Sequence, residues 1–244
     1  MISEAAPLSV VTGGSRGIGR AFVLEAVRRG HRVVFSYLSR DADARETERL
    51  AAELGGVAQG LRADLTAKQG IATLAEAARA IGEASLLVNN AGVSEECTLD
   101  DMTPEAWERA VALNLTAPTF LAQALAPGLR ATRGAILNVS SDGGVAGSLH
   151  GPPYGATKAG LIGLTKTLAR ALAPEVRCNA IAPGPVATEM WFSIAPDVQQ
   201  QVLEHEMPLK RIAQPEDIAR AGLDIASWPD ATGIVVVLDG GRIM

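Results

Sequence analysis

At 244 residues with 48% hydrophobic side chains, the chain is long enough to bury one large core and too apolar to remain disordered. A formal net charge of -5 leaves no broad basic footprint for nucleic acid or an anionic membrane, so a small-molecule partner is expected. No apolar run nears the roughly 20 residues that cross a bilayer, and the opening MISEAAPLSVVTGG has no basic stretch leading into an apolar one, which makes a cytoplasmic location the expectation.

Short β-rich runs alternate with helix-like segments along the whole chain. LSVVT reads as a strand, Arg20 to Arg29 as a helix, HRVVFSY as a strand, the stretch through Leu50 as a helix, and VAQGLRAD as a strand. A helix near Ala67 to Ile81 precedes the strand SLLVNN, and a long helix after Pro104 precedes the strand GAILNVSS. A helix from Tyr154 to about Ala173 and the strands VRCNAIAP and GIVVVLDGG complete the series. Because the strands are nearly continuous apolar runs, helices must cover both of their faces. The expectation is a Rossmann-type, doubly wound three-layer α/β sandwich with a mostly parallel sheet of about seven strands. No linker or composition shift divides it, so residues 1–244 are read as one domain. Residues 185–208 break the rhythm and are read as a lid over the substrate.

The first strand runs into Gly13, Ser15, Arg16, Gly17, Ile18 and Gly19 and then into a helix. Glycines there allow close backbone approach, and free amides at a helix N-terminus favour a pyrophosphate. The spacing Gly13-x-x-x-Gly17-x-Gly19 is not the generic G-x-G-x-x-G, so a plain tight turn is the competing reading. The second strand ends in Phe35, Ser36 and Tyr37, without the acid that receives ribose hydroxyls in NAD sites, and Arg16 and Arg40 can grip a 2′-phosphate. NADP(H) is therefore preferred, with NAD(H) as the alternative. Asp41 and Asp43 are the other candidates for the ribose, but fit better as first-turn acids of the next helix.

Tyr154 and Lys158 are four apart on one helix face. A free phenol titrates near ~10, and an adjacent cation favours the phenolate, which suits Tyr154 to proton transfer. Ser140 and Ser141 close a strand at the carboxyl end of the sheet, where ligands bind in open α/β folds. Ser141 can hydrogen-bond a carbonyl oxygen as charge develops; Ser140 is read as a cap or turn residue. Cys97 and Cys178 form no C-x-x-C pair, and His31, His150 and His205 have no ligand rhythm, so no metal is expected. His150 alone lies near this chemistry in sequence.

In this order, TGGSRGIG, Asp64 in RADL, NNAG, ALNLT, NVSS, YGATKAG, NAIAPGPVATEM and LDGG resemble the short-chain dehydrogenase/reductase family, single-domain branch, over nearly the whole chain. The resemblance implies Tyr154 as acid/base, Lys158 as holder of the nicotinamide ribose, Ser141 as carbonyl polariser, and Asn114 as anchor of a water leading to Lys158. It further implies Asp64 and Leu65 at the adenine, Asn90, Ala91 and Gly92 along the adenosine ribose, and Pro183, Gly184, Val186 and Thr188 around the nicotinamide. Within the family the chain looks most similar to 3-oxoacyl-(acyl-carrier-protein) reductases, from TGGSRGIG, YGATKAGLIGLTK and PLKRIAQPEDIA. A carbonyl or 3-oxoacyl-thioester substrate and a homo-oligomer, tetramer or dimer, follow as expectations. Trp191 and Phe192 are read as an apolar wall over the substrate or as an inter-subunit contact; Arg130 and Arg133 are a thin basis for docking an acidic carrier protein and read better as a solvated face. Competing readings are an NAD-dependent polyol, sugar or steroid alcohol dehydrogenase and a non-catalytic dinucleotide sensor. A chain ending at Met244 disfavours a sugar-nucleotide enzyme with an added C-terminal domain.

Overall fold

The computed structural model describes residues 6–243. The leader reading of the opening residues falls partly on 1–5, outside the described residues. Seven apolar runs form strands: β1 Leu8–Val11, β2 Arg32–Tyr37, β3 Ala58–Arg62, β4 Ala84–Asn89, β5 Ala135–Val139, β6 Arg177–Pro183 and β7 Val235–Leu238. All neighbours pair in parallel, in the order β3-β2-β1-β4-β5-β6-β7. The expected doubly wound sheet is what forms.

Alternation along each strand sends adjacent residues to opposite faces, and both faces are dry. Val10, Val34, Leu87 and Ile136 pack on one side against Leu74, Leu121, Leu125 and Leu129. Val11, Phe35, Val88 and Leu137 pack on the other against Phe22, Val23, Ile218 and Leu223. The covering helices are α1 Gly17–Arg28, α2 Asp41–Glu53, α3 Lys68–Ile81, α4 Pro104–Val111, α5 Ala117–Ala131, α6 Gly143–Ala146, α7 Pro152–Leu172, α8 Glu189–Phe192, α9 Pro196–Gln201 and α10 Pro215–Ser227. Burying one Phe or Leu side chain is worth about 1.5–3 kcal/mol, so this double cladding supplies most of the stabilisation.

The structure moves several expected boundaries. Helix α1 begins at Gly17 instead of Arg20, because the last glycines of the turn already lie in its first turn. Helix α7 begins at Pro152, two residues before Tyr154, since proline suits the first helical position. The single long helix expected after Pro104 is interrupted by a wider π-type turn over Ala112–Thr116 that separates α4 from α5. Such turns often mark functional positions, and Asn114 sits fully buried at its centre.

Residues 185–208 are more structured than a simple cover: α8, α9 and a π-type turn over Val202–Glu206 enclose Trp191, Val202 and Met207 in a small apolar cluster. Trp191 is 7% exposed and packs within this segment, against the expectation that it forms a wall over the substrate; Phe192 is the exposed one. Among the described residues no helix is long and apolar enough to cross a membrane, and no cluster of His, Cys, Asp and Glu is arranged to hold a metal.

Candidate active site

Strand order reverses between β1 and β4, the place where open α/β sheets leave a crevice beyond the strand ends. The turn after β1 lines this crevice. Gly13 (φ +68°) and Gly17 (φ +53°) adopt backbone conformations that disfavour side chains, and a Cβ on Gly19 would lie 2.0 Å from Gly13 O. The turn is tied to β4 through Thr12 Oγ1, which accepts from Asn90 N and Ala91 N at 2.9 Å each, while Asn90 Nδ2 donates to Thr12 O at 2.9 Å. Arg20, not singled out in the sequence, braces it from the other side: Nη2 donates to Ser15 O at 2.7 Å and to Asp43 O at 3.1 Å, and Nε to Thr47 Oγ1 at 3.0 Å. Helix α1 has no side-chain N-cap and no acid in its first turn, so its end offers amides and positive potential to an anion.

At the end of β2, Ser36 is buried and its hydroxyl accepts from Gly13 N at 3.2 Å. The Asp41 carboxylate beside Tyr37 holds its phenol above its usual range. Asp41 and Asp43 lie in the first turn of α2, as expected. Arg16 and Arg40 do stand on one side of the crevice, but both reach Glu189 of α8: Arg40 Nη2 is 2.9 Å from Glu189 Oε2, and Arg16 Nη1 pairs with the same oxygen. Asp64 is exposed and forms a local turn, accepting from Thr66 N at 2.9 Å. Leu65 turns its side chain into the core, 4% exposed, which leaves only its backbone to face the crevice.

The chemical end assembles from β5, the π-type turn and α7. Ser140 Oγ donates to Lys158 O at 2.8 Å, tying the end of β5 to helix α7 where a cap or turn was expected. Lys158 is buried and its Nζ donates to Val139 O at 2.8 Å, 5.6 Å from the centre of the Tyr154 ring. Asn114 spends its amide on Val93, accepting from Val93 N at 2.9 Å and donating to Val93 O at 3.0 Å, and on Thr157 Oγ1 at 3.0 Å. A Cβ on Gly92 would sit 3.3 Å from both Asn114 Oδ1 and Lys158 Nζ. Tyr154 neighbours Ser141, and the His150 ring stands edge-on to it, 5.4 Å between centroids.

Burial is the leading electrostatic influence here. It pushes the Tyr154 phenol above its ordinary value, aided by the Asp142 charge and opposed by the Ser141 hydrogen bond. Burial also pulls the Lys158 ammonium down to about 8. The sequence pattern predicts that Lys158 lowers Tyr154; in the folded chain burial is the dominant influence on both groups and raises the phenol.

Pro183, Gly184, Val186 and Thr188 form the wall opposite. Pro183 O accepts from Asp142 N at 2.9 Å, a Cβ on Gly184 would meet Asp239 Cβ at 2.7 Å, and the Thr188 methyl lies 3.4 Å from the Cβ position of Gly17. Val186 is buried, and its carbonyl accepts from Thr188. At this end of the site Asp142 and Arg242 also escaped the sequence reading, joined at 2.9 Å beside Ser141. Asp142 carries no motif beyond adjacency to Ser141, and Arg242 lies a hundred residues away. The cradle suits a dinucleotide: an uncapped helix end and positive-φ glycines at one end, and beside the Gly92 backbone, which has no side chain in the way, a lysine ammonium.

A family profile described as enoyl-(acyl carrier protein) reductase matches residues 13–242. The chain is 34% identical over 241 residues to the 3-oxoacyl-(acyl-carrier-protein) reductase FabG of Aquifex aeolicus, covering 96% of each chain. It is 36% identical over 242 residues to the L-rhamnose 1-dehydrogenase (NAD(P)(+)) of Azotobacter vinelandii, covering 95% of this chain and 94% of that one. Among solved structures, L-sorbose reductase from Gluconobacter frateurii, complexed with NADPH and L-sorbose, superimposes with a TM-score of 0.92 at 29% identity over 99% of this chain and 98% of that one.

Proposed function

The chain belongs to the short-chain dehydrogenase/reductase family, oxidoreductases that act on CH–OH and carbonyl groups with NAD(P), and on that footing we propose that it is an NADP(H)-dependent reductase whose substrate class is a 3-oxoacyl thioester or related ketone. The observation that carries this reading is the meeting of Ser141, Tyr154 and Lys158 beside an uncapped helix end and its glycine turn. Bound NADPH supplies the hydride, and NADP accepts it in the reverse direction. Gly13, Ser15, Gly17, Ile18 and Gly19 would hold the pyrophosphate, Arg16 and Arg40 the 2′-phosphate, and Ser36, Tyr37, Asp64, the Leu65 backbone, Asn90, Ala91 and Gly92 the adenosine. Pro183, Gly184, Val186 and Thr188 would flank the nicotinamide, whose ribose Lys158 would hold.

In reduction the Tyr154 hydroxyl gives its proton to the carbonyl oxygen, and Ser141 steadies that oxygen as negative charge grows on it. A phenol held above its usual range by burial keeps its proton at neutral pH, so donation is available there, whereas alcohol oxidation needs the phenolate and rises with pH. Asn114 holds the π-type turn against Val93 and Thr157, at the approach to Lys158. The protein is further read as a cytoplasmic homo-oligomer that uses the apolar groove of α5 and α7 around Phe120, Ala126, Leu168 and Leu172.

One observation favours a second substrate class, a sugar or polyol alcohol: His150 Nδ1 lies 3.3 Å from Glu96 Oε1 next to Tyr154, a polar wall suited to hydroxyl groups. Calorimetric titration with NADPH and NADH, followed by turnover of acetoacetyl-CoA, simple ketones, L-sorbose and L-rhamnose, separates the readings. Tighter NADPH binding with thioester turnover supports the reductase; turnover confined to the sugars transfers the assignment to the second class.

A further inference from the structure

Asp142 follows Ser141 directly and turns its carboxylate back onto it. Ser141 Oγ donates to Asp142 Oδ1 at 2.9 Å, and Gly143 N donates to the same oxygen at 2.7 Å. Arg242, from the far end of the chain, donates through Nη1 to Asp142 Oδ2 at 2.9 Å and through Nε to Glu206 Oε2 at 2.8 Å. The Asp142 side chain is 9% exposed and that of Arg242 20%. A carboxylate this dry requires a partner, and the guanidinium is that partner.

A serine hydroxyl has one proton. While Asp142 accepts it, Ser141 Oγ presents lone pairs to its other neighbours, among them Gly143 N at 3.1 Å. For Ser141 to donate to a substrate oxygen, that proton must swing away from Asp142 Oδ1, which keeps Gly143 N as its donor while Arg242 stays on Oδ2. No covalent bond changes in this step.

We propose that Asp142 is a positioning residue for the Ser141 and Tyr154 pair, and that Arg242 sets how much negative charge Asp142 presents to it. This rests on the reading of Tyr154 as the proton donor. The groups facing Tyr154 are Lys158 on its own helix, His150 with its partner Glu96 from the preceding loop, and Asp142 backed by Arg242 and Glu206. Asp239 approaches from the Gly184 side, but its oxygens are taken by Gly241 N at 2.9 Å and Ile243 N at 2.7 Å. Asp142 therefore opposes ionisation of Tyr154, and Arg242 cancels part of that opposition.

The sequence has two tyrosines, Tyr37 and Tyr154, so a Tyr37→Phe background leaves one phenol to watch. Its ionisation is read by ultraviolet tyrosinate absorbance after stopped-flow pH jumps, in the fast phase before any unfolding. Asp142→Asn, an isosteric change, moves the midpoint down, Arg242→Gln moves it up, and the double variant stays with Asp142→Asn, because Arg242 acts through the carboxylate. A structural lesion alone does not shift one titration in opposite directions. Coincident midpoints in all four proteins overturn the positioning role of Asp142, even when Tyr154→Phe abolishes turnover. Turnover retained by Tyr154→Phe instead overturns the underlying reading, and the ordering of midpoints still decides whether Asp142 and Arg242 act on Tyr154.

Discussion

Lys158 shows how much a buried ionisable group costs the fold. Its ammonium titrates at about 8 in the folded chain against an ordinary 10.5, so the unfolded chain binds more protons between those values and stability rises as pH climbs through them. The shift corresponds to about 3 kcal/mol of destabilisation at neutral pH. Lys158→Met is expected to raise the urea midpoint near neutral pH, to flatten the rise of stability between about pH 8 and 10.5, and to abolish turnover. Urea unfolding of both proteins across that window checks this; a parallel rise in the variant would assign it elsewhere. Tyr154, Lys158 and Ser141 were legible at this scale, because their spacing places them on one helix face and one strand end. Asp142 was not, since an aspartate after a serine reads as a cap, and the Asx bond to Gly143 N is what such a cap makes.

The α8 segment makes an element-scale prediction. Glu189, at its first turn, accepts from both arginines expected to bind a 2′-phosphate, and so competes with that phosphate for them. All three side chains are about half exposed, where an ion pair is worth about 0.2–1 kcal/mol. Glu189→Gln is therefore expected to tighten NADPH binding about threefold while leaving NADH unchanged; equal effects on both cofactors, read by calorimetry, would mean that the bridge does not occupy the phosphate subsite. Sequence reading marked residues 185–208 as irregular but missed their internal packing, because Trp191, Val202 and Met207 share one cluster across sixteen positions with no periodic pattern between them. Likewise the interruption of the helix after Pro104 has one local signal, Pro118 in the first turn of α5, which has no N–H to bond the Asn114 carbonyl; ALNLT by itself reads as continuous helix, and the π-type turn is further held by Asn114 contacts to Val93 and Thr157, made through tertiary structure.

At the scale of the molecule, the alternation of apolar runs and amphipathic helices determined the parallel sheet, and the reversal of strand order at β1 and β4 placed the crevice where the glycine turn, β5 and α7 converge. Ion pairs between distant segments, such as Arg16 with Glu189 and Arg242 with Asp142, had no local signature, and they are what joins the two ends of the crevice to the 185–208 segment. In the proposed reaction Tyr154 moves the proton. Comparison of Tyr154→Phe with the parent in NADPH binding and in turnover of the best substrate tests it most directly: NADPH affinity retained with kcat reduced by a hundredfold or more is the predicted result, on the scale of about 10²–10⁴ for a lost acid–base group, and unchanged turnover would contradict it.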